Sequence, residues 1–323
     1  MNEPPPQHIP GRSRRLVVLV CVALAIGLAA AAAVALTSRG GGASAATAPA
    51  RCSPLRGSPP LNLQLPHPVR GQGSEAIEHA AIEQLPSSDP RVGVARAIAR
   101  YGSVGPAGTL AALGRLDQSQ PVVGLYEGLT QLWAGKCSAA VELLRRVRSE
   151  DLYGYYGTIA DNTLHTPQQR SDYPIYIPPD GTPHGTVTQM RALVRREPRD
   201  SGAWLGLAAA EQSAWLQSHH APDRLAAQAA AQRALQVDPT GVSPRVAAAV
   251  LTYDKDKPAA TFSQLGPLVQ QTSDPTEIRF HLGLLLYWLN DDTDAAAQWR
   301  QVVAASPSSI YGRTAAALMA RIS

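Results

Sequence analysis

The sequence lacks the patterns that usually accompany catalysis. It has no P-loop, no G-x-G-x-x-G motif and no paired-carboxylate pattern. Lysine is scarce, with Arg outnumbering Lys 26 to 3, and the net charge of +4 is spread along the chain. Because no basic cluster has aromatic residues interleaved with it, nucleic-acid binding is not expected. The sequence therefore predicts no enzyme, no cofactor and no nucleic-acid partner.

Two groups of side chains could be considered as metal ligands. Glu75, Glu78, His79 and Glu83 share one broad face of a predicted helix, but no matching ligand set from other helices is present. His219 and His220 are adjacent, so their side chains diverge, and no third ligand is suggested. We interpret both groups as solvated surface and predict no metal site.

Charge is also absent from residues 16–36, which read LVVLVCVALAIGLAAAAAVAL. A helix of that length spans roughly 31 Å, about the thickness of the bilayer core. Arg12, Arg14 and Arg15 precede it, whereas only Arg39 and Arg51 follow closely. The positive-inside rule then predicts a single-pass membrane helix with residues 1–15 in the cytoplasm and the C-terminal domain outside.

A cleaved signal peptide is the alternative interpretation of the same segment. Ala43-Ser44-Ala45 and Ala46-Thr47-Ala48 are both possible cleavage sites. The apolar run is longer than the core of most signal peptides, which favours a retained anchor at the cell membrane. Both interpretations export the rest of the chain.

The remaining organisation follows from composition. Residues 37–73 form a predicted flexible linker and extended lead-in, in which Leu61, Leu63 and Leu65 alternate with polar residues. Residues 74–323 form a predicted extracytoplasmic helical-repeat domain, interrupted by a Tyr/Pro-rich insertion at about 153–188. Cys52 and Cys137 are the only cysteines of the exported part, where oxidising conditions favour a disulfide between them; two free thiols are the alternative.

Proline follows an acidic or hydroxyl residue at intervals along this domain. Three such pairs, Asp238-Pro239, Asp274-Pro275 and Ser306-Pro307, are 36 and 32 residues apart. Proline suits the first turn of a helix but cannot continue one, so each pair predicts a helix boundary. The spacing leaves room for two helices and two turns, which indicates an all-α helical repeat.

The last of these repeats resembles the tetratricopeptide repeat, a 34-residue motif. Counted from Thr276 as position 1, the residues that match positions 7, 8, 11, 20, 24 and 32 are Leu282, Gly283, Leu286, Ala295, Trp299 and Pro307. A second match starts near Ser201 and needs an insertion of seven residues around 217–223. A third, weaker match starts at Pro121 and lacks the closing proline.

The resemblance implies a right-handed array of antiparallel helix pairs whose first helices line a groove. The residues at the family's groove positions include Leu125, Leu129, Trp133, Phe280, Leu284, Tyr287 and Trp288. They are apolar or aromatic, so the implied ligand is an extended or helical peptide with apolar anchors. The alternative is that other parts of the chain cover these residues as core.

The insertion at 153–188 carries five of the ten tyrosines, and its residues 173–177 are predicted to form an extended strand. An exposed Tyr-rich loop suits recognition, with Tyr173 and Tyr176 as candidates, whereas a packed insertion would bury them. The leading prediction is a membrane-anchored scaffold or adaptor for proteins or peptides of the cell envelope. The alternatives are a glycan- or small-ligand-binding module that uses the insertion, and an exported enzyme without a recognisable motif.

Overall fold

A computed structural model of the chain describes residues 53–65 and 82–322. Within these ranges the ordered elements are helices, and there is no β-strand. The helices are α1 (Pro90–Ala99), α2 (Tyr101–Leu113), α3 (Pro121–Trp133), α4 (Cys137–Glu150), α5 (Tyr155–His165), α6 (Val187–Arg196), α7 (Ser201–Ser218), α8 (Ala221–Val237), α9 (Val242–Leu251), α10 (Pro258–Leu265), α11 (Leu268–Gln271), α12 (Thr276–Trp288), α13 (Asp292–Ala305) and α14 (Ile310–Ile322).

Several sequence predictions fall outside the described residues. These are the membrane helix at 16–36, Cys52, and the Glu75, Glu78 and His79 part of the acidic cluster. None of the helices in the described part of the chain is both long and apolar enough to span a bilayer. Cys137 is disulfide-bonded, but its predicted pairing with Cys52 stays a prediction.

Proline marks the helix boundaries as expected. Helix α1 begins at Pro90, and the Asp89 side chain caps it by accepting a hydrogen bond from the Arg91 N–H. Helix α12 begins directly after Pro275, while Pro239 and Pro307 lie in the links after α8 and α13. The proline spacing therefore predicted the division of the chain into helices correctly.

Three helix pairs pack most extensively: α3 with α4, α7 with α8, and α12 with α13. They are the three segments that match the repeat motif. The first and third pairs have the same helix lengths, 13 and 14 residues. In each pair the link contains a residue with positive φ, namely Gly135, His219 or Asn290. Such a residue ends the first helix and lets the chain reverse direction.

The seven extra residues of the α7–α8 pair do not form a loop. Instead α7 has 18 residues and α8 has 17, and only His219 and His220 connect them. The insertion therefore lengthens both helices, which preserves their packing and keeps their main-chain groups hydrogen-bonded.

A small residue on the first helix faces a large one on the second in two of the pairs. A Cβ atom added to Gly283 would lie 2.3 Å from Trp299 Nε1, and one added to Gly128 would lie 3.0 Å from Leu144. These are positions 8 and 24 of the motif. Both large side chains are buried, so the small residue sets how closely the two helices approach.

The region 153–188 differs from its prediction. Its first part is helix α5, which starts after Gly154 and is stabilised by the Gly157 N–H donating to Asp151 Oδ2 at 2.9 Å. The expectation of a non-helical insertion over the whole range is wrong for residues 155–165 and for 187–188, which begin α6. The non-helical part covers residues 166–186, between α5 and α6. The extended strand predicted at residues 173–177 is not formed, since these residues belong to neither helix nor strand.

The close contact at motif positions 8 and 24 makes Gly283→Ala a test of this packing. Trp299 is fully buried and donates from Nε1 to the Phe280 carbonyl at 3.1 Å, so it has little freedom to move away. We expect a loss of about 2 kcal/mol in the free energy of unfolding, measured by urea denaturation.

Gly102→Ala is the matched control, because no atom lies within 4 Å of a Cβ added to this helical glycine. We expect that variant to keep or slightly increase its stability. Equal stabilities of the two variants would contradict the packing described here.

Candidate functional site

Residues 170–183, here called the strap, cross the faces of three helices; residues 173–179 run without a bend, between a bend at 171–172 and a turn at 180–181. The strap lies between α5 and α6 in the chain but contacts α7, α12 and α14 in space. Because it is neither helix nor strand, its buried main-chain groups need partners from other parts of the molecule. Side chains of the helices provide them.

The centre of the strap is held by its main chain. The Gln212 side chain on α7 accepts from the Tyr176 N–H at 2.8 Å and donates to the Tyr176 carbonyl at 2.9 Å. The next residue, Ile177, donates its N–H to His281 Nε2 at 3.1 Å and accepts from the Tyr311 hydroxyl at 3.2 Å. Four hydrogen bonds thus fix two consecutive residues: Gln212 on α7 binds the first, and His281 on α12 and Tyr311 on α14 bind the second.

The two ends of the strap are also anchored. At the start, the Arg170 guanidinium lies 3.8 Å from the centre of the Tyr287 ring and pairs with Asp292 at 2.6 Å. The Trp288 indole donates to the Ser171 carbonyl at 3.1 Å. Toward the other end, Asp180 accepts from the Ile310 N–H at 2.9 Å, so it caps α14.

His281 is buried beneath the strap as a neutral imidazole. Its Nε2 atom accepts from a main-chain N–H, so Nδ1 carries the proton and donates to the Glu277 carbonyl at 2.9 Å. Burial lowers the pKa of His281 to about 4. The ring stacks on Tyr176, with the two centres 5.5 Å apart.

Glu277 lies one helical turn before His281 and is also buried. The Ser243 hydroxyl donates to its Oε2 atom at 2.5 Å. Burial raises the pKa of Glu277 to about 7, although the hydrogen bond from Ser243 favours the charged form. The carboxyl group therefore takes up a proton near neutral pH.

The other strap tyrosine binds a buried carboxylate. The Tyr173 hydroxyl donates to Asp161 Oδ2 on α5 at 2.5 Å, and the Lys255 ammonium lies 5.0 Å from the centre of the Tyr173 ring. Burial raises the pKa of Tyr173 above its usual value, and the nearby Asp161 charge raises it further. Tyr173 is therefore a fixed hydrogen-bond donor at neutral pH.

Asp161 is the centre of a charge cluster that joins α4 and α5 to the link between α9 and α10. Its Oδ1 atom lies 2.8 Å from Arg148 Nε and 3.1 Å from His165 Nδ1. His165 also contacts Asp256 at 3.0 Å. Burial opposes ionisation of Asp161, but His165 and Tyr173 hydrogen bonds and the Arg148 and Lys255 charges outweigh it and lower its pKa.

A second cation, Arg224 on α8, is buried among aromatic rings. Its guanidinium lies 4.9 Å from the Trp215 ring, 5.1 Å from Tyr173 and 5.5 Å from Tyr153. It donates a hydrogen bond to the Leu251 carbonyl at 3.1 Å. Burial lowers the pKa of Arg224 to about 10, which leaves it charged at neutral pH. The aromatic faces therefore compensate part of its desolvation.

The predicted groove residues are placed under other parts of the chain. Leu125, Leu129, Phe280 and Leu284 are buried in the core, which corrects the expectation of an open apolar groove at these positions. Trp133, Tyr287 and Trp288 are half-buried. The last two contact the strap: the Tyr287 carbonyl accepts from Arg170 Nε at 2.7 Å, and the Trp288 carbonyl accepts from the Arg170 N–H at 2.8 Å.

The lead-in covers the corresponding helix of the first repeat. The Leu55 N–H donates to the Trp133 carbonyl at 3.1 Å. The Tyr126 hydroxyl on α3 accepts from the Asn62 N–H at 2.5 Å, and Leu63 packs into the core that contains Leu125 and Leu129. Residues 53–65 thus cover part of the α3 face, as the strap covers part of α12.

The predicted insertion tyrosines are buried too. Tyr173 and Tyr176 expose 3% and 2% of their surface, so neither offers a free recognition surface. This overturns the exposed-loop interpretation and favours the packed one. The reason is that each tyrosine contacts a helix side chain that could not be foreseen from the sequence. Tyr173 contacts Asp161, and Tyr176 contacts His281.

Sequence reasoning missed most of the residues that hold the strap. Gln212 could have been found from the sequence. Counted from Ser201 as position 1 of the second repeat match, it is position 12, which is one of the positions that face the groove in the repeat motif. Nothing in the local sequence marks His281, Asp161, Arg224 or Lys255 as contact residues. His219, which the sequence offers as a possible ligand, packs against Trp215 and Tyr155. The described residues contain no cluster of three or more metal-ligating side chains.

The chain is similar in structure to several solved proteins. No family model matches the chain, and no curated protein matches it. The chain is similar to a thermophilic tetratricopeptide repeat protein of Thermus thermophilus, with 15% identity and a TM-score of 0.35 over 71% of this chain and 98% of that one. It is also similar to a human IFIT1 dimer with PPP-AAAA, with 12% identity and a TM-score of 0.35 over 77% and 60% of the two chains.

Asp161→Asn tests the charge cluster. The change removes the negative charge but leaves Arg148 and Lys255 close to a buried amide, so two cations lose their buried partner. We expect the free energy of unfolding to fall by about 3 kcal/mol, measured by urea denaturation. The exposed Glu142→Gln on α4 is the control, with a change within about 0.5 kcal/mol. If Asp161→Asn and Glu142→Gln changed the free energy of unfolding by similar amounts, the charge cluster would contribute little to stability.

Glu277→Gln tests the pH dependence that follows from burial. The folded-state pKa of Glu277, about 7, is above its usual value of 4.5. Its contribution to stability is therefore complete below about pH 4.5 and is lost as pH rises through 7. Relative to the variant, the wild type should lose on the order of 3 kcal/mol between pH 4.5 and 8. His281 titrates in both proteins, so its opposite contribution cancels in the difference. A difference in urea midpoint that does not change with pH would refute this assignment.

Proposed function

We propose that the protein is a membrane-anchored, extracytoplasmic scaffold that binds other proteins of the cell envelope and catalyses no reaction. The observation that carries this proposal is the way in which the helix faces hold extended polypeptide. Gln212, His281 and Tyr311 bind the strap through its main chain. Tyr126 does the same for the lead-in.

Main-chain recognition of this kind supports a role in protein binding. Hydrogen bonds to N–H and C=O groups provide affinity for any extended segment, and pockets for side chains provide selectivity. The helix pairs that carry these side chains match the repeat motif in three places. The tetratricopeptide repeat resemblance implies the same class of function.

The membrane location rests on the sequence. Residues 16–36 have the length and apolar character of a membrane helix, and the arginines before them favour a cytoplasmic N-terminus. The linker at 37–50 would let the domain reach partners at the outer membrane face. The partners we propose are proteins of export, folding or wall assembly.

Crosslinking in intact cells tests the proposal. A membrane-impermeant crosslinker applied before solubilisation should join the tagged full-length chain to at least one envelope protein. The control chain keeps residues 1–50 but has an unrelated soluble domain in place of residues 51–323, and it should not recover that protein.

A topology measurement completes the test. Protease added to spheroplasts, whose outer layers have been removed so that the cell membrane is accessible, should degrade the C-terminal domain and leave a tag at the N-terminus protected. Recovery of the full-length chain from the soluble cytoplasmic fraction, or of the same proteins by the control chain, would refute the scaffold proposal.

A further inference from the structure

We propose that the strap is an intramolecular ligand of a peptide-binding site formed by α5, α7, α8, α12 and α14, and that a partner segment of the pattern Tyr-x-x-aromatic-aliphatic occupies this site by displacing the strap. This inference rests on the proposed function and names the ligand class that the site takes. In the strap the pattern is Tyr173, Tyr176 and Ile177.

The first position of the pattern calls for a phenol. Asp161 accepts a hydrogen bond from the Tyr173 hydroxyl at 2.5 Å, and the Arg224 and Lys255 cations lie 5.1 and 5.0 Å from the ring centre. A phenylalanine would keep the contacts with the cations but would leave Asp161 without this donor. The site therefore selects Tyr at the first position.

The second position calls for a flat ring without a polar group. The Tyr176 ring stacks on His281, but its buried hydroxyl has no hydrogen-bond partner among the described residues. An unpaired buried hydroxyl costs free energy, so a phenylalanine should fit at least as well. The strap is thus a suboptimal ligand for its own site, which is a property expected of a displaceable segment.

The geometry of the pattern follows from the extended main chain. Side chains three residues apart on an extended chain point to opposite sides, which allows Tyr173 to reach α5 and Tyr176 to reach α12. Gln212 fixes the register of the chain by pairing with both the N–H and the C=O of Tyr176. A segment shifted by one residue would turn these main-chain groups away from Gln212.

Displacement is compatible with the packing of the helices. Helix α7 packs directly on α8, and α12 packs directly on α13, so the strap is not required for either pair to form. Asp172 and Gly181, near the two ends of the strap, have positive φ angles of 64° and 87°. These residues change the direction of the chain at either end of 173–179, so this central part is joined to α5 and α6 by residues that belong to neither helix.

A peptide added in trans tests the proposal. In the full-length chain, residues 172–180 are replaced by a Gly/Ser segment of equal length, and binding of a fluorescent peptide with the sequence of residues 170–183 is measured by anisotropy. We expect saturable binding to this variant and at least about tenfold weaker binding to the intact chain, in which the strap competes. A scrambled peptide of the same composition is the control ligand.

Substitutions identify the contacts. Tyr173→Phe in the peptide should weaken binding about tenfold, whereas Tyr176→Phe should leave it unchanged or tighten it. In the replaced chain, Gln212→Ala should also weaken binding about tenfold, while Gln232→Ala, at an exposed position on α8, should not. Equal binding of the scrambled peptide, or a folded variant that does not bind the peptide, would overturn the proposal.

A measurement on the intact chain does not depend on the variant folding. If the strap leaves the site, the Tyr176 and Ile177 amides should exchange with deuterium at least about tenfold faster than the central amides of α7 and α12. Exchange at the same slow rate as these helices would show that the strap opens only on unfolding, and would overturn the proposal. If the peptide binds but no envelope protein is crosslinked, the peptide-binding site would be supported and the scaffold function would be refuted.

Discussion

The structure depends on satisfying the main chain of a buried, extended segment that has no neighbouring strand. A polypeptide in this position would ordinarily leave its N–H and C=O groups without partners, at a cost for each one. The strap has fewer main-chain N–H groups that need a hydrogen-bond partner, because Pro174, Pro178 and Pro179 carry no N–H. Gln212 and His281 then supply partners at the centre. The uncommon feature is that side chains from different helix pairs, rather than a sheet, complete the hydrogen bonding.

The same constraint explains the concentration of buried charge around the strap. Tyr173 can be buried only with an acceptor for its hydroxyl, and Asp161 provides it. A buried carboxylate in turn needs cations, which Arg148 and Lys255 supply. Each polar group thus requires the next, and the cluster connects α4 and α5 with the α9–α10 link. Such a network specifies one arrangement more than it adds stability.

The helix pairs can be predicted because their signals are local. Pro275 and Pro307 mark boundaries, and Gly283 with Trp299 defines a close helix contact within one 34-residue unit. The strap site cannot be predicted in this way, because its contacts join residues that are far apart in the chain. Examples are Tyr176 with Gln212 and Ile177 with His281. Helix α5 escapes prediction for another reason: its tyrosines, threonines and glycine have weak helix propensity, and its packing against α4 compensates.

The groove prediction is wrong for a physical reason. Apolar residues at the groove positions predict anchors for a partner, but Phe280 and Leu284 pack in a core with residues of α13 and α14, and Ile177 of the strap packs against that core. An apolar face of this size needs a cover in water, and a segment of the same chain reaches it at a far higher effective concentration than any partner. A partner that uses these faces must therefore compete with the strap, so its affinity would reflect the difference between two ligands rather than the strength of one.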